Sequence, residues 1–272
     1  MKPKKSLSQH FLINDYAAKR IVDALNLKRD EKVLEIGPGK GALTRHLVKL
    51  SKRVIGVEID KNLCEYLKDK FKENKNLIII NKDFLKIDLD KFGSKDDKIK
   101  IVGNLPYKIT SPVLSLLFDK KELIELCVLM VQKEVAERIC AEPGSKDWSS
   151  LSLAVQLYSD VKMLYRLKPT SFFPAPKVFS KVIKIVFLKK PKVELEDEEF
   201  FFKIVKASFA QRRKTILNSL SLNLGLEKSI VLSALQKAKI DPKRRAESLS
   251  LKEFAELGVK RNFPKSLSEI LK

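Results

Sequence analysis

The chain has 272 residues, 44% hydrophobic and 33% charged, with 55 Lys and Arg against 34 Asp and Glu, a net charge of +21. This is a globular composition, long enough for one or two domains with a sizeable core, and it excludes a disordered chain. The basic excess runs along the whole sequence and attracts polyanions; nucleic acid is favoured over the plainer reading of a Lys-rich surface.

The three cysteines, Cys64, Cys127 and Cys140, form no C-x-x-C pair and are odd in number. That argues against a disulfide framework or a zinc site and fits a reducing, cytoplasmic setting. The start, Met1-Lys2-Pro3-Lys4-Lys5, is basic but precedes no apolar signal core, and no apolar run approaches the length of a membrane span. The expectation is a soluble protein with no membrane partner and no metal.

Strand-like segments at residues 32–36, 53–59, 77–81, 98–102 and 126–131 are rich in Val, Ile and Leu with little polar alternation. Parallel strands covered on both faces have this character. Helical stretches at 43–50, 61–74 and 111–119 lie between them, the alternation of a doubly wound α/β sheet. Two further strands are expected at 161–167 and 181–188, the second alternating apolar and polar residues as a hairpin edge does. The expected fold is α/β: a Rossmann-like, class I S-adenosylmethionine-dependent methyltransferase fold with a mostly parallel seven-stranded sheet. Near residue 190 the character changes, with an acidic run at 194–199 and helical patterns at 200–220, 227–238 and 251–257. A catalytic domain over 1–190 and a small α-helical domain over 191–272 are therefore expected.

Three strand ends carry chemistry. Gly37, Gly39 and Gly41 form G-x-G-x-G after the first strand, allowing a tight turn and close ligand approach. The spacing is neither the dinucleotide fingerprint nor a phosphate-binding P-loop. Glu58 ends the second strand, where a carboxylate can accept both hydroxyls of a ribose; Ile59 follows it. Asp83 ends the third strand, in Asn81-Lys82-Asp83-Phe84, and can take the amine of an adenine ring, with Phe84 supplying a backbone N–H or apolar cover. Each acid alone is an ordinary loop residue. Glycines, an acid and an acid on three successive strand ends favour S-adenosylmethionine, since nothing in the pattern demands pyrophosphate binding.

Asn104-Leu105-Pro106-Tyr107 follows the fourth strand. The exocyclic amine of adenine is a poor nucleophile because its lone pair is delocalised into the ring. The Asn104 side-chain oxygen and the Leu105 carbonyl can accept its two hydrogens and free that lone pair. Pro106 stiffens the turn and holds Leu105 extended, and Tyr107 offers a face on which an extruded base stacks. Phe172, in Phe172-Phe173-Pro174-Ala175-Pro176-Lys177-Val178, is a candidate for the second wall of that pocket, the alternative being a core ring. Direct methyl transfer to the amine needs no metal and no strong base. The sequence has only two histidines, His10 and His46, and no metal-ligand cluster.

With these residues in place, nearly the whole chain resembles the ribosomal RNA adenine dimethylase family. The resemblance begins at Ser8-Gln9-His10-Phe11-Leu12, similar to the family's N-terminal motif, and implies that His10 and Leu12 contact the cofactor. It continues through Glu35–Gly39, Glu58, Asp83, Asn104–Tyr107, Gln132–Val135 and Phe172–Val178. Phe209–Thr215, Asn218–Leu220, Asp241-Pro242 and Arg245–Glu247 resemble the family's small-subunit enzymes. Read from the residues, Arg212, Arg213 and Lys214 form a basic cluster on a helix that can grip RNA phosphates, or else a solvated face; Arg245 joins them as a candidate RNA contact.

The resemblance implies dimethylation of two adjacent adenosines in the 3′-terminal hairpin loop of 16S ribosomal RNA, within the assembling small subunit; a monomer is expected. Competing readings are a 23S ribosomal RNA dimethyltransferase of the macrolide-resistance type and an assembly factor acting mainly by binding. A DNA adenine methyltransferase ranks third. The chain departs from the family pattern at Trp148-Ser149-Ser150-Leu151-Ser152, where an aromatic-Gly pair is common, and at Phe179, where an acid is common.

Overall fold

The computed structural model describes Leu7 and Gln9–Phe263; the basic start at residues 1–5 and Ser8 of the N-terminal motif lie outside the described residues. The chain divides into two units. One runs through Ala136 and resumes over Asp160–Lys189, and the other comprises Glu137–Ser159 and the chain from Lys190 onward. The chain passes between the units three times, after Ala136, after Ser159 and after Lys189.

In the first unit the elements run β1 (Phe11–Leu12), α1 (Asp15–Asp23), β2 (Lys32–Ile36), α2 (Thr44–Leu50), β3 (Arg53–Glu58), α3 (Lys61–Lys70), β4 (Leu77–Asn81), β5 (Ile99–Asn104), α4 (Thr110–Asp119) and β6 (Ile124–Gln132). After α5 (Lys133–Ile139) and α6 (Ser150–Tyr158) come β7 (Ser159–Leu167), β8 (Phe172–Phe173) and β9 (Ser180–Phe187). Seven strands form one sheet in the order β4-β3-β2-β5-β6-β9-β7. The pairs β4-β3, β3-β2, β2-β5 and β5-β6 are parallel, and β9 runs antiparallel to β6. This is the expected methyltransferase sheet. Register aligns the carboxyl ends: Ile36 lies opposite Val57 and Gly103, Glu58 opposite Asn81, and Asn104 opposite Met130. Ligands of open α/β sheets bind at that edge.

β1 and β8 form a separate antiparallel ribbon, with Phe11 opposite Phe173 and Leu12 opposite Phe172. Leu12 and Phe172 point into a core with Ile21, Leu47, Val128 and Val182, while Phe173 on the other face is 56% exposed. Successive strand residues face opposite sides, so one ring of the pair is buried and its neighbour is not.

Two sheet lysines anchor the end of α1. Lys184 on β9 donates to the carbonyl of Ala24, the helix C-cap, at 2.8 Å. Lys100 on β5 is 4% exposed and donates to the Asn26 carbonyl at 3.1 Å and to Glu31 at 2.8 Å. Cations suit the negative end of a helix dipole. Burial pushes the Glu31 carboxyl up, but bonds from Lys100 and from the Lys28 N–H outweigh it and hold the group below its ordinary value.

The second unit contains α6, α7 (Glu198–Phe209), α8 (Ile216–Leu224), α9 (Lys228–Lys237) and α10 (Leu251–Leu257). Its core includes Trp148, Leu153, Phe201, Leu220, Leu235 and Phe254. Trp148 is 1% exposed and its indole N–H donates to the Leu249 carbonyl at 2.9 Å. At the following position Ser149 stands at the N-cap of α6, its N–H bonded to Ser152 Oγ at 3.0 Å. The capping box supplies the turn without a glycine. The helix expected over 200–220 is broken: residues 210–215 form a turn, and Thr215 caps α8 by accepting the Asn218 N–H. Among the described residues no helix is long and apolar enough to cross a membrane.

Removing the Lys100 ammonium leaves the Asn26 carbonyl and Glu31 without their buried partner. Lys100→Met is expected to cost about 2–3 kcal/mol, read from urea unfolding; a loss below about 0.5 kcal/mol, the range of ordinary surface changes, would contradict the anchoring assignment.

Candidate active site

A cavity of about 240 Å³ opens at the carboxyl ends of β2, β3, β4 and β5. Every proposed cofactor residue lines it: His10, Leu12, Gly37, Gly39, Glu58, Ile59, Asp83, Phe84 and Asn104. Leu105, Pro106 and Tyr107 do so as well, but Phe172 does not. Phe172 is 3% exposed and belongs to the core described above. The ring that lies against Tyr107 is instead His10, with centroids 5.8 Å apart and planes 28° apart.

The glycine loop is shaped for close approach. Gly37 has φ +62 and an added Cβ there would enter open space at the cavity, which L side chains reach only with strain. At Gly39, φ +58, a Cβ would lie 3.0 Å from the Phe11 ring. Phe11 thus packs on the loop from β1, a contact the sequence reading did not find. Glu58 braces the same loop: one carboxylate oxygen accepts the Gly39 N–H and the other the Asp60 N–H, each at 3.0 Å. Burial raises its affinity for a proton and these two N–H bonds oppose that shift. Each oxygen keeps a further lone pair for a ligand hydroxyl. Asp83 accepts the Leu85 N–H at 3.0 Å, which fixes its rotamer at the cavity wall.

Glu35 is a site residue beyond those expected from the sequence. It is 1% exposed, accepts the Thr44 hydroxyl at 2.6 Å, lines the cavity, and burial pushes its carboxyl up to about 8. An acid inside the apolar run Val33–Ile36 was the available signal.

At the end of β5 the Asn104 amide nitrogen donates to the His10 carbonyl at 2.8 Å. A carbonyl can only accept, so Nδ2 must face it and Oδ1 is left as the acceptor. His10 Nδ1 lies 2.7 Å from the Pro174 carbonyl, so that ring nitrogen carries the proton and donates. The Tyr107 hydroxyl is 3.0 Å from Ser180 Oγ, which sets the ring angle. Asn104, Tyr107, the N-terminal ribbon and the Phe172–Val178 loop are therefore tied at one point.

The RNA candidates lie in the second unit. Arg212, Arg213 and Lys214 sit in the turn between α7 and α8 rather than on a helix, because Thr215 starts a new helix there. Arg212 donates to the Lys146 carbonyl and lies 3.7 Å from Glu247, so it braces this unit. Arg213, Lys214 and Arg245 are exposed.

The sheet order, the glycine loop and the paired strand-end acids define a class I S-adenosylmethionine-dependent methyltransferase. The model of the family described as ribosomal RNA adenine dimethylase matches residues 1–258, and the chain belongs to that family. It is 42% identical over 253 residues to the Ribosomal RNA small subunit methyltransferase A of Clostridium botulinum (strain ATCC 19397 / Type A), covering 93% of this chain and 92% of that protein. Among solved structures it is similar to a dimethyladenosine transferase from Plasmodium falciparum, with TM-score 0.76 and 28% identity, covering 91% and 96% of the two chains. It is also similar to the 23S rRNA methyltransferase ErmE, with TM-score 0.73 and 26% identity, covering 91% and 98%. The protein is a methyltransferase acting on adenine in ribosomal RNA.

Glu35 carries a pH signature. Its folded value, about 8, lies above the ordinary 4.5, so its contribution to stability is complete below about 4.5 and is lost as pH rises towards 8. Wild-type stability is therefore expected to fall relative to Glu35→Gln across that window. Unfolding midpoints measured from pH 5 to 9 check this, and parallel curves would contradict a buried neutral carboxyl.

Proposed function

We propose that the protein dimethylates N6 of two adjacent adenosines in the 3′-terminal hairpin loop of 16S ribosomal RNA, acting as a cytoplasmic monomer on the assembling small subunit. The observation that carries the chemistry is the Asn104 amide, anchored through Nδ2 to the His10 carbonyl with Oδ1 left to accept. The small-subunit assignment draws on the 42% identity to a small subunit methyltransferase over most of both chains.

The cavity fits S-adenosylmethionine: open space at Gly37 admits a ligand against the backbone, and Glu58 has acceptor capacity for ribose hydroxyls. Asp83 and Phe84 would hold the adenine end, with Ile59, 50% exposed, as apolar cover. Bound there, the cofactor supplies a methyl group activated by its sulfonium charge. Asn104 Oδ1 and the Leu105 carbonyl accept the two hydrogens of the target amine and draw its lone pair out of ring conjugation. Pro106 holds the two acceptors in one turn. Tyr107 supports the extruded base on its free face; such stacking contributes about 1–3 kcal/mol. The alkylated nitrogen is cationic and acidic and gives one proton to water; one hydrogen then remains, and one of the two acceptors suffices to hold the amine for the second transfer. Loop adenosines are cheap to extrude, which suits a hairpin target. Arg213, Lys214 and Arg245 serve as phosphate contacts in the helical unit.

The likeness to ErmE favours a second reading, a large-subunit target. Purified protein incubated with S-adenosylmethionine and either unmethylated small subunits or large-subunit RNA separates the two, with nucleosides identified by mass spectrometry. Dimethyladenosine from the small subunit alone is expected; product from large-subunit RNA alone would establish the second reading. Glu58→Ala is expected to weaken S-adenosylmethionine binding by calorimetry at least about tenfold, the loss of one charge-assisted contact of about 1.4 kcal/mol or more. Unchanged affinity would contradict the ribose assignment.

A further inference from the structure

The first unit carries a second feature that methyl transfer does not use. Tyr16 on α1 is 71% exposed. Arg20, one turn further along α1, lies with its guanidinium 5.6 Å from the Tyr16 ring centroid and 4.1 Å from that of Tyr165. The Tyr165 hydroxyl donates to the Ala17 carbonyl at 3.4 Å, so the stack has a fixed base. Next along β7, Arg166 lies 4.6 Å from the Phe179 ring, a position where a carboxylate would have neutralised it. Tyr16, Arg20, Tyr165, Arg166 and Lys168 line a shallow groove of about 270 Å³.

These cations are uncommitted. Among the described residues Arg20, Arg166 and Lys168 form no ion pair. The carboxylate next to Tyr16, Asp15, is taken by Arg45 at 2.6 Å and His46 at 2.7 Å. Guanidiniums set over aromatic rings beside an exposed tyrosine present π faces for bases and charge for phosphates. An acidic peptide would use the charge but has no use for the planes.

One stretch of chain links the groove to the candidate active site. The His10 carbonyl holds Asn104, and three residues on, the Ile13 N–H donates to the Ser171 carbonyl at 2.9 Å. Asn14 and Ser171 are part of the groove wall. Three residues of extended chain span about 10 Å.

We propose that this groove binds the single-stranded RNA flanking the target adenosine. Tyr16, backed by Arg20, stacks a base, while Arg166 and Lys168 hold neighbouring phosphates. The inference rests on ribosomal RNA being the substrate and adds where the catalytic unit grips it.

Equilibrium binding of the full chain to unmethylated small ribosomal subunits, across about 50–200 mM salt, tests it. Tyr16→Ala is expected to weaken binding about tenfold, with Tyr16→Phe within about twofold of wild type because the ring is kept. The pair Arg166→Ala and Lys168→Ala is expected to lower the slope of log affinity against log salt by about 2. Thermal midpoints and S-adenosylmethionine affinity stay unchanged in all three. Single-stranded oligoadenylate is expected to compete better against wild type than against Tyr16→Ala. Variants that bind like wild type, while wild type binds and methylates the particles, would overturn the groove alone. Wild type that neither binds nor methylates them would overturn the functional reading with it. Competition by polyglutamate in place of oligoadenylate would reassign the groove to an acidic protein.

Discussion

The hydrogen bond from Asn104 Nδ2 to the His10 carbonyl joins the end of a sheet strand to the N-terminal ribbon, far apart in sequence. Asn104 is the last residue of a buried strand, set in place by its pairing with β6. His10 immediately precedes a two-residue strand that depends on β8 for pairing. Once joined, the amide cannot rotate without breaking a bond, and an acceptor with one orientation faces the cavity. A freely rotating amide would present donor and acceptor by turns, and a donor would repel the amine it is required to hold. The same junction positions the His10 ring on Tyr107 and bonds it to Pro174, so the ribbon, the turn after β5 and the proline loop are tied together.

Around this point the cavity wall is braced by hydrogen bonds. Glu58 spends one lone pair of each oxygen on the glycine loop and so shapes the loop before any ligand arrives. Glu35 behind it is neutral near pH 7, since burial places its carboxyl at about 8. A negative charge at Glu35 beside the Glu58 carboxyl is thereby avoided, at a site where the incoming ligand carries a sulfonium. Electrostatic preorganisation of this kind costs stability in the empty protein and needs no rearrangement during transfer.

Much of the catalytic sheet was legible because parallel strands covered on both faces read as apolar runs. Residues 32–36 and 77–81 match β2 and β4, and the strand-end acids fall on the cavity because register aligns those ends. The ribbon was not legible, since two residues per strand leave no periodicity. That gap explains why Phe172 was a candidate wall: without the pairing of Leu12 with Phe172, nothing in the sequence says which adjacent phenylalanine faces the core. The turn at 210–215 was missed for a different reason. Gln, Arg, Arg and Lys are good helix formers, and only the Thr215 cap ends the helical pattern. Nor does local pattern show that Glu137–Ser159 belongs with the C-terminal helices, because Trp148 meets Leu249 across a hundred residues of chain. The Tyr16–Arg20–Tyr165 stack joins α1 to β7 in the same nonlocal way.

The most direct test of the central constraint is methyl transfer by Asn104→Asp, with S-adenosylmethionine affinity measured on the same preparation. The carboxylate retains acceptors for the amine but has no N–H to give the His10 carbonyl, which repels it. The account predicts transfer reduced by about a hundredfold or more, the loss of one preorganised contact, with cofactor affinity within a few-fold of wild type. Transfer near the wild-type rate would show that the anchored amide is not what orients the amine.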